Sequence, residues 1–167
     1  MADLGFDGMI KVSFVPTVTN LDAPTVAELT AGTPLEGRLT PDGLEITPAT
    51  SNIDTSKLNS TANSSKIGRD TYTISLTYVI GDSADTEAQA VQTALVRGAA
   101  GFLAVRRDKL ATVAWTAADK VELYPVQCHR PAPAKVAPNA DQTVTVGMEM
   151  TDGNSVRGYG DESVIAA

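Results

Sequence analysis

Between residues 71 and 80 the chain alternates strictly: Tyr72, Ile74, Leu76, Tyr78 and Ile80 fall on one face, and Thr71, Thr73, Ser75 and Thr77 on the other. A period of two sends successive side chains to opposite sides of an extended backbone, so this is a strand with one dry face and one hydroxyl face. The hydroxyl face is expected to meet water or another subunit. Gly81 and Asp82 end the strand, Ser83 is placed to cap, and Ala84, Ala88, Val91, Leu95 and Gly98 then recur at spacings of three and four. That spacing predicts the one substantial helix, packed by one face onto a sheet and stopped by Gly98 or Gly101.

The rest of the chain repeats the strand signal. Ile10, Val12 and Phe14 alternate with Lys11 and Ser13, and further strands are expected at Phe102 to Arg107, Thr112 to Trp115, Val121 to Cys128 and Thr143 to Thr151. Leu35, Gly37 and Leu39 alternate with Glu36 and Arg38, and the turn signal Pro41-Asp42-Gly43 before Leu44 and Ile46 predicts a tight hairpin. A helix of little more than two turns is expected over Leu21 to Gly32, with Asp22 and Pro24 at its start and Gly32 at its end. Composition agrees: eight aromatics are outnumbered by 20 threonines, so the core, Trp115 included, must be mostly aliphatic, a mix that favours strands. With 167 residues, 43% of them hydrophobic, the chain is read as one mainly β domain over 1–151, a β-sandwich or partial barrel flanked by a helix. Arg130 to Asn139, with three prolines, is a connection. Asp152 to Ala167 is expected to be a flexible tail that frays or docks on a neighbour.

Pro48 to Asp70 stands apart, because Ile53, Leu58 and Ile67 are its only large apolar residues among Ser, Thr, Asn and Ala. Such a stretch cannot build its own core, and a structureless loop of this length inside a domain is commonly either disordered or used for binding. It is read as an arm that orders against a partner, with Ile53, Lys57, Leu58, Lys66, Ile67 and Arg69 as its contact residues.

Charge and chemistry narrow the function. Thirteen Lys and Arg against 20 Asp and Glu leave −7, which disfavours tight nucleic-acid binding. His129 and Cys128, each the only one of its kind, are adjacent on a strand end and so point apart, a poor dyad and a poor metal site. Glycine-loop phosphate motifs are missing, and Asp82, Asp85 and Glu87 lack calcium-loop spacing and read as favourable charge at a helix start. Arg106, Arg107 and Lys109, with Arg97 nearby, form the one basic cluster, read as a solvated rim or an ion-pairing interface. Asn59-Ser60-Thr61 and Asn63-Ser64-Ser65 match the glycosylation sequon by chance. Met1 to Asp7 lacks the basic and apolar pattern of a signal peptide, so cytoplasmic synthesis is expected, and no apolar run is long enough for a membrane span. No enzyme, cofactor or metal is expected.

The segments Asp22-Ala-Pro-Thr-Val-Ala-Glu-Leu-Thr-Ala-Gly-Thr-Pro-Leu35, Gly43-Leu-Glu-Ile46 and Gly68-Arg-Asp-Thr-Tyr-Thr-Ile-Ser-Leu-Thr-Tyr78, followed by an acidic cap and an Ala-rich helix, resemble the tail tube (major tail) proteins of bacteriophages with long non-contractile tails, those of actinobacteria in particular. The resemblance implies a tail tube-like fold in a virion structural protein that forms hexameric rings, stacked into the hollow tube through which DNA is ejected. It implies four strands per subunit joining neighbours into a lumenal barrel, and a long loop at the position of the arm that reaches the next ring. Partners implied are further copies of the chain and the tape-measure, tail terminator and tail-tip proteins, with no membrane. Carboxylates in the lumen would repel DNA phosphates, and Glu36, Glu45 and Glu149 are the candidates. The rival readings are a β-sandwich module that binds a cell-surface glycan and a ring component of the tail tip or head completion.

Overall fold

The structure, a computed structural model, describes residues 8–167; the stretch Met1 to Asp7 lies outside them. In chain order the elements are β1 (Lys11–Val15), α1 (Val26–Thr30), β2 (Thr33–Pro34), β3 (Leu39–Asp54), β4 (Ser65–Val79), α2 (Thr86–Ala94), β5 (Ala100–Arg106), β6 (Lys120–Cys128), β7 (Ala132–Pro133), β8 (Thr143–Met150) and β9 (Ser163–Val164). The main sheet runs β2, β1, β5, β6, β8, β4, β3, with every neighbouring pair antiparallel. The fold is mainly β, with α2 carrying the chain from β4 across to β5.

One cluster takes in both ends of this path. Val12 and Phe14 of β1 meet Ile74, Leu76 and Tyr78 of β4, joined by Leu103, Tyr124, Val126, Val146 and Met148 from the strands between them. The sheet therefore curls around its own dry face as a partial barrel, and Val91 and Leu95 of α2 join the same cluster. A second cluster lies against the other face of β1, β5 and β6, where Val15, Ala104, Val121 and Leu123 meet Leu29, Trp115 and Ile165. β6 is thus buried on both sides from Val121 to Val126, whereas the outer face of β8, β4 and β3 carries no second layer among the described residues.

Several local expectations are corrected. Pro41-Asp42-Gly43 does not reverse the chain: Leu39 pairs with Tyr78 and Leu44 with Leu76, so the turn residues form a bulge inside the single long strand β3. Gly43 is needed there because a β-carbon would collide with the Thr77 carbonyl oxygen. The arm is a β-hairpin and not a structureless loop, its backbone paired from Thr50 with Asp70 out to Asp54 with Ser65. Backbone hydrogen bonds need no apolar side chains, which is why composition missed it. The helix expected over 21–32 shrinks to five residues, capped by Thr25, whose hydroxyl accepts from the Glu28 amide while Glu28 accepts from the Thr25 amide. Asp85, two residues after Ser83, caps α2. Thr112 to Trp115 is loop, and Trp115 is core as expected.

The carboxy-terminal residues are not a free tail. Lys120 pairs with Val164 and Val121 with Ser163, Thr25 bridges Ala166, and Ile165 is buried in the second cluster. Two apolar residues, Ile165 in the second cluster and Val156 against the first, together with backbone pairs dock a segment whose glycines and acids gave no periodic signal.

Candidate assembly surfaces

Strand alternation builds the first surface. Residues that face away from the core on β3, β4 and β8 are Glu45, Thr47, Thr73, Ser75, Thr77, Thr145, Gly147 and Glu149. Glu45 pairs with Ser75, whose hydroxyl donates to its carboxylate at 3.3 Å, and Thr77 meets Thr145 at 2.9 Å, so the hydroxyls tie neighbouring strands across this face. Glu149 pairs with Gln127 and lies 3.5 Å from the imidazole of His129. His129 itself lies over Gly147, where any side chain would press on the ring. Cys128 points the other way into the core, and burial pushes its thiol up to about 11. The structure brings Glu45 and Glu149 onto one open polar face. Glu36 is elsewhere: it precedes β3 and its carboxylate takes a bond from Lys11 at 3.0 Å.

The hairpin is the second surface. All six of its expected contact residues lie beyond the part of β4 that pairs with β8, which ends at Ile74. Leu58 is wholly exposed at the tip, Ile67 is 78% exposed and Ile53 is 47% exposed, so Leu58 gains nothing from burial in this subunit and Ile67 little. Ile53 stands opposite Lys66, and Arg69 follows Gly68, with Ser51 tied to the Arg69 backbone at 2.8 and 3.0 Å.

A third feature was invisible to pattern reading. Where the curled sheet fails to close between β1 and β3, a groove of about 650 Å³ is lined by Ile10, Val12, Leu39, Leu44 and Ala111, with Glu36 and Arg107 among its polar residues. Lys11 braces it by bonding both Glu36 and the Ala111 carbonyl, at 3.0 and 2.9 Å. Its residues are scattered over three segments, so only tertiary packing assembles them.

The basic run is mostly spent inside the subunit. Arg106 falls on the second dry face of β5 and is fully buried, donating to Asp119 at 2.9 Å and to the carbonyls of Leu110, Val113 and Ala114 at 2.8 to 3.0 Å. Its guanidinium also sits 5.3 Å from the centre of the Trp115 ring. Burial raises the Asp119 carboxyl, but bonds from Lys109 and Thr116 outweigh it and hold the group below the usual carboxylate range. Arg107 pairs with buried Glu122 at 2.6 Å, and only Arg97 of the four cations remains exposed without an ion pair among the described residues. The signal that could have revealed this was an Arg in register with core residues two and four positions before it.

The curled sheet, the open polar face and the projecting hairpin define a structural subunit whose exposed surfaces are built from backbone ladders. Compared with known families, residues 2–158 match the phage tail tube protein family. The chain belongs to that family and is a structural component of the phage tail. No curated protein matches it in sequence. Among solved structures, the cryo-EM structure of the anti-feeding prophage (AFP) baseplate, 6-fold symmetrised, is similar at a TM-score of 0.48 and 11% identity, covering 91% of this chain and 95% of that one.

Proposed function

We propose that this chain is a non-catalytic tube subunit that forms hexameric rings, stacked into the hollow tail tube through which viral DNA is ejected. The observation that carries the reading is the make-up of β8, β4 and β3, three adjacent strands that are dry on the core side and polar on the outer side. The path then ends at β3, a 16-residue edge strand paired with β4 on one side and with no strand on its other side among the described residues. Long open edges invite pairing, and barrel closure through neighbouring subunits removes them. Pro41 and Pro48 interrupt the donor series of that edge, which restricts pairing to a strand of matching register.

In this reading the polar face lines the lumen, and Glu45 and Glu149 keep it unattractive to phosphate, so that DNA slides through. The projecting hairpin reaches the next ring. Assembly partners are further copies of the chain together with tape-measure, terminator and tail-tip proteins, in a tail made in the host cytoplasm. Negative-stain electron microscopy of the concentrated protein is expected to show rings or tubes with a central hole. A strictly monomeric chain, alone and with a tail initiator complex, would overturn the proposal. Tubes of Glu45→Lys, Glu149→Lys should retain DNA that unsubstituted tubes release, in a salt-dependent manner.

A further inference from the structure

Resting on the stacked-tube reading above, we infer that the groove between β1 and β3 is the socket for the hairpin tip of a second copy of this chain, with Leu58 as the anchor. Three observations carry it. The first is that tip and groove are complementary leftovers: a wholly exposed Leu58 with exposed Ile67 on one side, and an apolar-lined groove of about 650 Å³ on the other. Among the described residues nothing covers either surface, and seating one in the other removes both from water.

The second is their placement. The groove is lined by Leu39 and Leu44 at the start of β3, and the tip begins after Asp54 at its end. Ten residues at about 3.3 Å each put them roughly 33 Å apart, so a subunit cannot insert its own tip. A copy displaced along β3 can, and because donor and acceptor are different surfaces at opposite ends, the contact is head-to-tail and repeats along the displacement as long as no rotation closes it into a ring. That is the geometry of a stack.

The third is charge. The arm as a whole is nearly balanced, with Asp54 and Asp70 against Lys57, Lys66 and Arg69, and Lys57 is the charge at its tip. At the groove end, Glu36 lines the cavity, exposed Asp42 follows the lining residue Pro41, and Glu87 lies beside Gly37. The cations of that end, Lys11, Arg38 and Arg107, are each engaged by a carboxylate, while Asp42 makes no ion pair among the described residues. Glu36 is already paired with Lys11 and Glu87 lies 3.9 Å from Arg38, so Asp42 is the acid of this rim that Lys57, next to the anchor, has to meet.

The test is a disulfide trap in assembled tubes of the full chain carrying Leu58→Cys and Ala111→Cys. The native Cys128 is buried and does not compete. The expected result is a ladder of cross-linked dimers, trimers and longer species on non-reducing gels, lost when either substitution is made alone. In parallel, Leu58→Asp should lower tube yield at least tenfold with an unchanged monomer melting temperature, and Leu58→Met should assemble like the unsubstituted protein. Tubes of normal length without the ladder, or normal yield from Leu58→Asp, would overturn the socket while leaving the tube reading intact. Failure of the unsubstituted protein to form rings or tubes would overturn the tube reading and the socket with it.

Discussion

The two ends of the sheet obey different rules. At the β1, β5, β6 end the strands are buried on both faces, between a cluster around Leu103 and another around Trp115, and even Arg106 there is internal. At the β3, β4 end the strands outrun their support, and beyond Ile74 the hairpin rests on its own ladder and on hydroxyl bonds such as Thr50 to Asp70 at 2.6 Å. The difference teaches that one chain can divide its labour. Side-chain burial holds the subunit together, and backbone pairing extends a probe that costs the core nothing.

Four perturbations break or sharpen that contrast. Asp119→Ala should do most damage, because it strands the buried Arg106 without its anion; losing one partner of a buried pair costs about 3–5 kcal/mol. Chemical denaturation should show the loss as a lower midpoint at unchanged slope. Ile165→Ala empties a site in the second cluster, at roughly 2–5 kcal/mol. A change near zero would mean that the carboxy-terminal strand is not needed to seal that face, and amide exchange at Val121 would tell the same story.

Glu28→Gln should cost about 1 kcal/mol at neutral pH through the capping box. Amide bonds from Thr25 and Thr19 lower the Glu28 carboxyl from 4.5 to about 2. A depressed carboxylate stabilises the fold fully above its unfolded value and loses that contribution as pH falls through the folded one. The melting-temperature gap between variant and parent should therefore be full above pH 4.5 and close towards pH 2. Smallest of all, replacing Ser56 to Asn63 by an Asn-Gly turn should shift monomer stability by less than about 0.5 kcal/mol, since exposed residues away from the core rarely do more. The same change should abolish stacking, and tubes of unchanged yield would sink the assembly role of the hairpin.

How much of this was legible in the sequence differs by region for a physical reason. The alternation at 71–80, the helix face of Ala88, Val91 and Leu95, and the opposed directions of Cys128 and His129 were read correctly, because each follows from a local period of two or 3.6. Pro41-Asp42-Gly43 misled because the same residues that favour a reversal also suit a bulge, and only the register of Leu44 on Leu76 chooses between them. Arg106 misled because charge was read before register. Glu45 and Glu149 could be named as acids on strands, yet that they share a face while Glu36 binds Lys11 depends on which strands are neighbours.

By itself the sequence determined the periods, the caps and the charge balance, and through them a mainly β chain with one flanking helix and a polar arm. These are properties of residues close together along the backbone. Tertiary structure alone decided the strand order, the curl that leaves a groove between β1 and β3, the docking of Ile165 and the burial of Arg106. Each of those joins residues far apart in the chain, and their pairing is selected by the packing of the whole sheet rather than by any local preference.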